Sequence, residues 1–313
     1  MIAQPNIVVL GSLNMDLLLR VPRAPEAGET LIGHSLSMLP GGKGGNQAVS
    51  CARQGGKVKM LARIGRDAEG QAMSDALAWN GIAIDALQLD DEAPTGRALV
   101  MLEDSAQNRI VVLAGANARL RLDDDDLSRH LQGAAYLVTQ LESPLPVVLQ
   151  AVAAARRAGC RVLFNPSPMQ PLPDELWPQL DTVVVNEVEA AAYADCAVTN
   201  PAQAAAAGEM LHARGVPRVV VTLGALGVVT VEQGRKRFHP VVQVQAMDTT
   251  AAGDTFAGAV AVGLAQGQDL TAATQRGIRA AAVCVTRIGA QVSIPTAQEA
   301  DALPPSPPWS DLA

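Results

Sequence analysis

Two aspartates, Asp248 and Asp254, bracket the stretch Met247-Asp-Thr-Thr-Ala-Ala-Gly-Asp254, which runs into an alanine-rich segment. From Ala251 through Ala252 to Gly253 no side chain exceeds a methyl group. Backbone N–H groups there can close around an anion at the positive end of a helix. Asp254 falls in the same turn, within reach of whatever attacks that anion. A donor cradle beside a carboxylate is the minimal equipment for phosphoryl transfer. An ordinary helix start, with Asp254 as a first-turn acid, accounts for this stretch alone equally well.

A second polar cluster lies far upstream. Pro40-Gly-Gly-Lys-Gly-Gly-Asn46 leads into a helix expected from about Gln47 to Gln54. Gly42, Gly44 and Gly45 at a helix start imply close backbone approach to a ligand, with Lys43 and Asn46 as its polar groups. The loop fits neither G-x-x-x-x-G-K-[ST] nor G-x-G-x-x-G, so Walker A and dinucleotide fingerprints are absent. Asn14 and Asp16 follow the apolar run Ile7–Leu10 and share one face if the chain stays extended. Taken alone, that pair is more simply an Asx-type turn.

These groups must be held by a framework, and the sequence outlines it. The 313 residues are 49% hydrophobic and 18% charged, which suits one large α/β domain or two smaller ones. No apolar run approaches the roughly 18 residues that span a bilayer. The opening Met-Ile-Ala-Gln-Pro-Asn-Ile-Val-Val-Leu-Gly reads as a first strand rather than a leader. Cys51, Cys160, Cys196 and Cys284 show no metal or CxxC spacing and are expected to be free thiols in a reducing cytoplasm. A net charge of −7 argues against nucleic acid as the main partner.

From Ala135 onward the pattern is βαβα. Strands are expected at Tyr136–Thr139, Arg161–Phe164, Thr182–Val185 and Arg218–Thr222, each ending in polar or glycine residues. Strand C-termini are where an open α/β sheet builds its site. Upstream, Lys57–Arg63 reads as a strand and Ala68–Trp79 as a helix. Residues 17–39 look strand-like rather than helical, with alternation from Thr30 to Met38. Together with Gly96–Leu102 and Arg109–Leu113 they could form a small separate sheet. Asp123 to Asp126 are expected to open a helix as a solvated face, not to bind metal. The tail 303–313, rich in proline, is expected to lie outside the fold.

Taken together, these stretches resemble the ribokinase-like (PfkB) carbohydrate kinase family, from Gly-Ser-Leu-Asn-Met-Asp at 11–16 to Arg-Ile-Gly-Ala-Gln-Val-Ser-Ile-Pro at 287–295. The two family signatures match Gly41–Asn46 and Asp248–Asp254. Further matches are TGRALV from Thr95, AGANA from Ala114, QLESP from Gln140, NEVE from Asn186 and TLGALG from Thr222. The resemblance implies a single three-layer α/β/α domain over 1–313 with a mostly parallel central sheet. It implies a small β-sheet lid from about 15–40 and 96–113 that doubles as a homodimer clasp. Implied ligands are a small-molecule sugar, ATP, Mg²⁺ and K⁺, with no membrane partner.

The resemblance also implies roles. Asp254 aligns with the catalytic base, and Ala251, Ala252 and Gly253 with the Asp254 amide form an anion hole. Asn14, Met15, Asp16, Gly42, Lys43, Gly44, Gly45, Asn46 and Glu142 fall at sugar-binding positions. Asn186 and Glu189 match the N-x-x-E motif tied to Mg²⁺ and phosphate. Thr222, Leu223, Gly224, Ala225, Leu226 and Gly227 resemble the nucleotide loop, adjoining Gly253 and Asp254. Asp248, Thr250, Cys284, Arg287, Gly289 and Ser293 align with loops around a monovalent cation. The chain departs from the family pattern at Pro40, Arg97 and Ile278. The implied reaction is transfer of a phosphoryl group from ATP to the 5-hydroxyl of D-ribose. Alternatives are a sibling kinase for 2-deoxyribose, another pentose or a nucleoside, and, more remotely, a non-catalytic sugar-binding module. A nicotinamide dehydrogenase is disfavoured by the missing glycine fingerprint.

Overall fold

A computed structural model describes residues 4–105 and 107–312. Its strands are β1 (Asn6–Leu10), β2 (Asn14–Val21), β3 (Ser35–Gly41), β4 (Lys57–Gly65), β5 (Leu87–Asp90), β6 (Gly96–Glu103) and β7 (Asn108–Leu113). Then come β8 (Tyr136–Thr139), β9 (Arg161–Phe164), β10 (Thr182–Asn186), β11 (Arg218–Thr222), β12 (Val228–Glu232), β13 (Arg235–His239) and β14 (Ser310–Asp311). The first helices are α1 (Lys43–Arg53), α2 (Ala68–Trp79), α3 (Asp124–Leu131) and α4 (Leu145–Arg157). The later ones are α5 (Glu187–Ala194), α6 (Pro201–Ala213), α7 (Ala252–Ala265), α8 (Leu270–Cys284) and α9 (Ala297–Asp301).

The large sheet has ten strands in the order β14-β13-β12-β11-β10-β9-β8-β1-β4-β5. Pairing is parallel from β11 through β5 and antiparallel from β11 to β14. Short unbroken runs of Val, Ile and Leu form the parallel strands because both faces are covered. Val8 and Leu10 pack with helices α3 to α6, whereas Ile7 and Val9 pack with α1, α2, α7 and α8. The three-layer α/β/α architecture is therefore present. Asp123 caps α3 by accepting the Asp126 amide at 2.7 Å, as its aspartate run suggests.

Chain from the end of β1 leaves this body as β2, folds back as β3 and re-enters at α1. A second excursion, β6 and β7, joins it in a four-stranded sheet ordered β3-β2-β6-β7. Only the β2–β6 pairing is parallel. Asn14 pairs with both Gly41 and Gly96, so the bases of three lid strands meet at one point.

Three expectations need correction. Helix α1 begins at Lys43, four residues before Gln47, so the glycines are its cap and first turn. Close packing explains them, since a Cβ on Gly44 would lie 2.6 Å from the Gly11 carbonyl carbon. The strand expected from Thr30 begins only at Ser35. The tail also rejoins the fold. Ser310 and Asp311 pair with Phe238 and Arg237, and the Arg237 guanidinium stacks on Trp309 at 4.3 Å. Prolines break helix but leave extended backbone free to add an edge strand. Deleting the chain from Trp309 onward should cost about 1–2 kcal/mol and lower Tm by about 2–4 °C. An unchanged melting curve would show that the strand contributes nothing.

Candidate active site

The N-terminus of α7 supplies the centre. Ala251 caps it in a left-handed conformation (φ 60°), which turns the following amides inward. Asp248 holds that turn, accepting the Thr250 amide at 2.9 Å and its hydroxyl at 2.6 Å. The Ala252 amide bonds Thr249. The amides of Gly253 and Asp254 have no acceptor among the described residues, so two N–H groups face the site with the helix dipole behind them.

Asp254 is 6% exposed, and both its oxygens accept from neutral amides. Asn46 Nδ2 donates to Oδ2 and Gln47 Nε2 to Oδ1, each at 3.0 Å. These donors sit on consecutive residues of α1, so the helix that the glycine-rich segment opens meets the α7 turn at Asp254.

Around them lie the remaining expected sugar ligands. The Asn14 Oδ1 accepts from Asn117 Nδ2 at 2.8 Å, which leaves the Asn14 amide nitrogen to donate. Asp16, two residues along β2, shares its face. Gly41 makes room for it, because a Cβ there would come within 2.1 Å of Asp16 Oδ2. Burial, reinforced by Glu142 and Asp254, pushes the Asp16 carboxyl up to about 7. Burial works against the Lys43 ammonium, but the fields of Asp254, Glu142 and Glu189 outweigh it and hold its pKa above the ordinary value. Glu142 Oε2 is partly structural, accepting the Ser12 hydroxyl at 2.5 Å and the Lys43 amide at 3.1 Å. Met15, by contrast, is 4% exposed and packs in the core.

On the other side of the α7 turn opens an apolar cleft of about 280 Å³. Thr222, Gly224, Ala225 and Gly227 form one wall and Phe256, Ile278 and Val242 others, while Ala252 and Gly253 close the inner end. Leu223 and Leu226 of the expected loop do not line it. Leu223 is buried in the core and Leu226 is exposed. A flat heteroaromatic ring fits such walls, and its attached phosphates would point toward the free amides.

Asn186 and Glu189 form a reciprocal cap of α5, with the Glu189 amide donating to Asn186 Oδ1 at 2.8 Å and the Asn186 amide to Glu189 Oε2 at 3.0 Å. Glu189 Oε1 has no partner among the described residues although the residue is buried, a free carboxylate oxygen suited to a hydrated Mg²⁺.

The expected cation loops also converge. Asp248 Oδ2 accepts the Gly289 amide at 2.9 Å, and the Cys284 thiol lies 3.1 Å from Ser293 Oγ and 3.7 Å from the Thr250 carbonyl. Arg287 turns its guanidinium away to Glu299 at 2.6 Å, leaving only its backbone for this region. Oxygen donors with a single carboxylate suit a weakly hydrated monovalent ion.

Residue types alone did not reveal Ser12, Gln47, Asn117, Gln140 or Asn165, all of which bond to site residues or to one another. Their only sequence signal was position, since Gln140 and Asn165 directly follow β8 and β9.

A large, mostly parallel sheet with a lid, a helix-end anion cradle and a cluster of polar side chains beside it are the parts of a small-molecule kinase. The chain matches the pfkB family carbohydrate kinase profile over residues 4–297 and belongs to that family. Among its relatives, the ribokinase of Haemophilus influenzae is 39% identical, over 94% of this chain and 96% of that protein. The mouse ribokinase is 37% identical, over 92% and 91% respectively. A solved Arabidopsis thaliana ribokinase complexed with ribose and ATP superposes with a TM-score of 0.89 at 32% identity, covering 95% of this chain and 98% of that one.

Proposed function

We propose that this protein is a ribokinase, transferring the γ-phosphoryl group of ATP to the 5-hydroxyl of D-ribose to give ribose 5-phosphate and ADP. The observation that carries this reading is the placement of Asp254. Its carboxylate accepts from Asn46 and Gln47, lies near enough to Asp16 and Lys43 to act on their charges, and belongs to the same helix turn as the free amides of α7. The curated relatives named ribokinase, and the superposed ribose and ATP complex, support the same assignment.

In this mechanism Asn14, Asp16 and Lys43 bind the ring hydroxyls, which fixes the primary hydroxyl against Asp254. Asp254 takes the hydroxyl proton as the new O–P bond forms. The bond from γ-phosphorus to the β-bridging oxygen breaks, and ADP leaves with that oxygen. The Gly253 and Asp254 amides stabilise the equatorial oxygens of the transferring group. Glu189, with Asn186 orienting it, would hold a hydrated Mg²⁺, which supplies charge neutralisation on the phosphates. Asp248, the Thr250 carbonyl, Ser293 and the backbone around Cys284, Arg287 and Gly289 would hold K⁺ behind the anion cradle.

Two partner assignments extend this reading. Register places Met38, Leu17, Leu99 and Val111 in one row across all four lid strands. Met38, Leu99 and Val111 are 50%, 46% and 60% exposed, an apolar stripe that a second lid would cover in a homodimer. Val111→Asp should convert a dimer to a monomer in light scattering behind size exclusion. A wild type that is already monomeric at micromolar concentration sinks that assignment. Four free thiols suit a cytoplasmic location, and no helix among the described residues is long and apolar enough to cross a membrane.

The deciding experiment is ADP release with Mg²⁺-ATP and a panel of ribose, 2-deoxyribose, other pentoses and nucleosides, with and without K⁺. Ribose-dependent turnover that rises with K⁺ supports the whole assignment. Preference for another acceptor keeps the kinase and rejects ribose, and no turnover with any acceptor favours a binding module.

A further inference from the structure

We infer that Gln47, locked by Gln140 and Asn165, is a positioning residue that fixes the orientation of the Asp254 carboxylate. This rests on the kinase reading of Asp254. Gln47 has no exposed surface, and its side-chain amide lies in a buried relay. Its Nε2 donates to Asp254 Oδ1 at 3.0 Å and to Asn165 Oδ1 at 3.3 Å. Its Oε1 accepts from Gln140 Nε2 at 2.6 Å.

An amide can be turned end for end, and the two orientations are chemically opposite. Turned around, Gln47 would set its oxygen against Asp254 and Asn165 and its nitrogen against the Gln140 nitrogen. The surroundings forbid this. Asn165 Nδ2 donates to the Val184 carbonyl at 2.9 Å, and a backbone carbonyl can only accept. Asn165 must therefore face Gln47 with its oxygen, Gln47 must answer with its nitrogen, and Gln140 must donate to the oxygen left over. The polarity of the relay is set by the backbone of β10 and delivered to Asp254.

Asn46 holds the other carboxylate oxygen but is differently supported. Its Oδ1 is buried with no partner among the described residues, so nothing fixes it when a sugar competes for its donor. Gln47 is the support that stays. A donor that cannot turn away fixes the carboxylate plane relative to the α7 amides. The other charged and titratable groups acting at this point are Lys43 from α1, Asp16 from β2 and Cys284 from α8.

The test uses the full-length protein, with kcat and the KM for sugar read at saturating ATP and folding checked by melting. Gln47→Leu keeps the bulk but donates nothing to Asp254, and should lower kcat about tenfold while leaving the KM for sugar unchanged. Gln140→Leu leaves Gln47 oriented by Asn165 but held on one side only, and should lower kcat by a smaller factor, again with KM unchanged. Wild-type kcat in folded Gln47→Leu, or a KM that rises as much as kcat falls, overturns the inference. A wild type without turnover on any sugar overturns the kinase reading and the inference with it, whereas failure of the expected kcat and KM split in an active enzyme leaves that reading standing.

Discussion

Asp254→Asn should lower kcat by about 10²–10⁴ while leaving the ribose dissociation constant within about threefold of wild type. Asparagine keeps the size of the side chain and can still accept from Asn46 or Gln47, so the pocket survives. What it loses is a lone pair basic enough to take the hydroxyl proton. The loss is bounded because proton transfer is late in a loose transition state, where alignment and the Gly253 and Asp254 amides do much of the catalysis. Isothermal titration with ribose, paired with turnover at saturating ATP, separates the two effects. A variant that retains more than a third of wild-type kcat would remove Asp254 from the role of base.

Asp16→Ala should weaken ribose binding by about 10²-fold or more, since two sugar hydroxyls would each lose a charged acceptor. The same residue should make binding depend on pH. Its carboxyl is held up near 7 by burial and by Glu142 and Asp254. Hydroxyl donors favour the ionised form, so ribose should bind more tightly as pH rises from 6 to 8 and should release a proton near neutrality. Titration in two buffers of different ionisation enthalpy measures that proton.

Stability should run the other way. The folded pKa lies above the ordinary 3.8, so the contribution is fully present below about pH 4 and is lost as pH rises through 7. Sugar-free Asp16→Asn should therefore melt above wild type at pH 8 and show no such gain near pH 4. Equal melting temperatures at pH 8 would contradict a carboxyl buried at that cost.

The sheet was legible because its strands carry apolar residues on both faces, a pattern that only helices on both sides can satisfy. The α7 turn was not legible from its residues alone, since an ordinary helix start explains them equally well; the family signature at Asp248–Asp254 singled it out. Helix α1 was misplaced because glycine weakens helices, and its close contact with Gly11 depends on a neighbour 33 residues away in sequence. Gln47 and Gln140 stayed hidden because a neutral amide carries no charge pattern or spacing. Their importance comes from which oxygen faces which nitrogen, and that is settled only in three dimensions. The tail was misjudged because proline marks the absence of helix without saying whether an open sheet edge lies nearby.

The lid carries one further consequence. Its inner end bears Asn14 and Asp16 on β2, and its outer stripe bears Leu99 on β6, which pairs with β2, and Val111 on β7, which pairs with β6. If two lids pair as proposed, sugar occupancy and subunit association act on a single mechanical element, and linkage makes their influence mutual. If pairing of two lids tightens sugar binding by some factor, sugar must tighten pairing by that same factor per linked site. Apparent sugar affinity would then vary with protein concentration, and dilution into an assay would itself act as an effector.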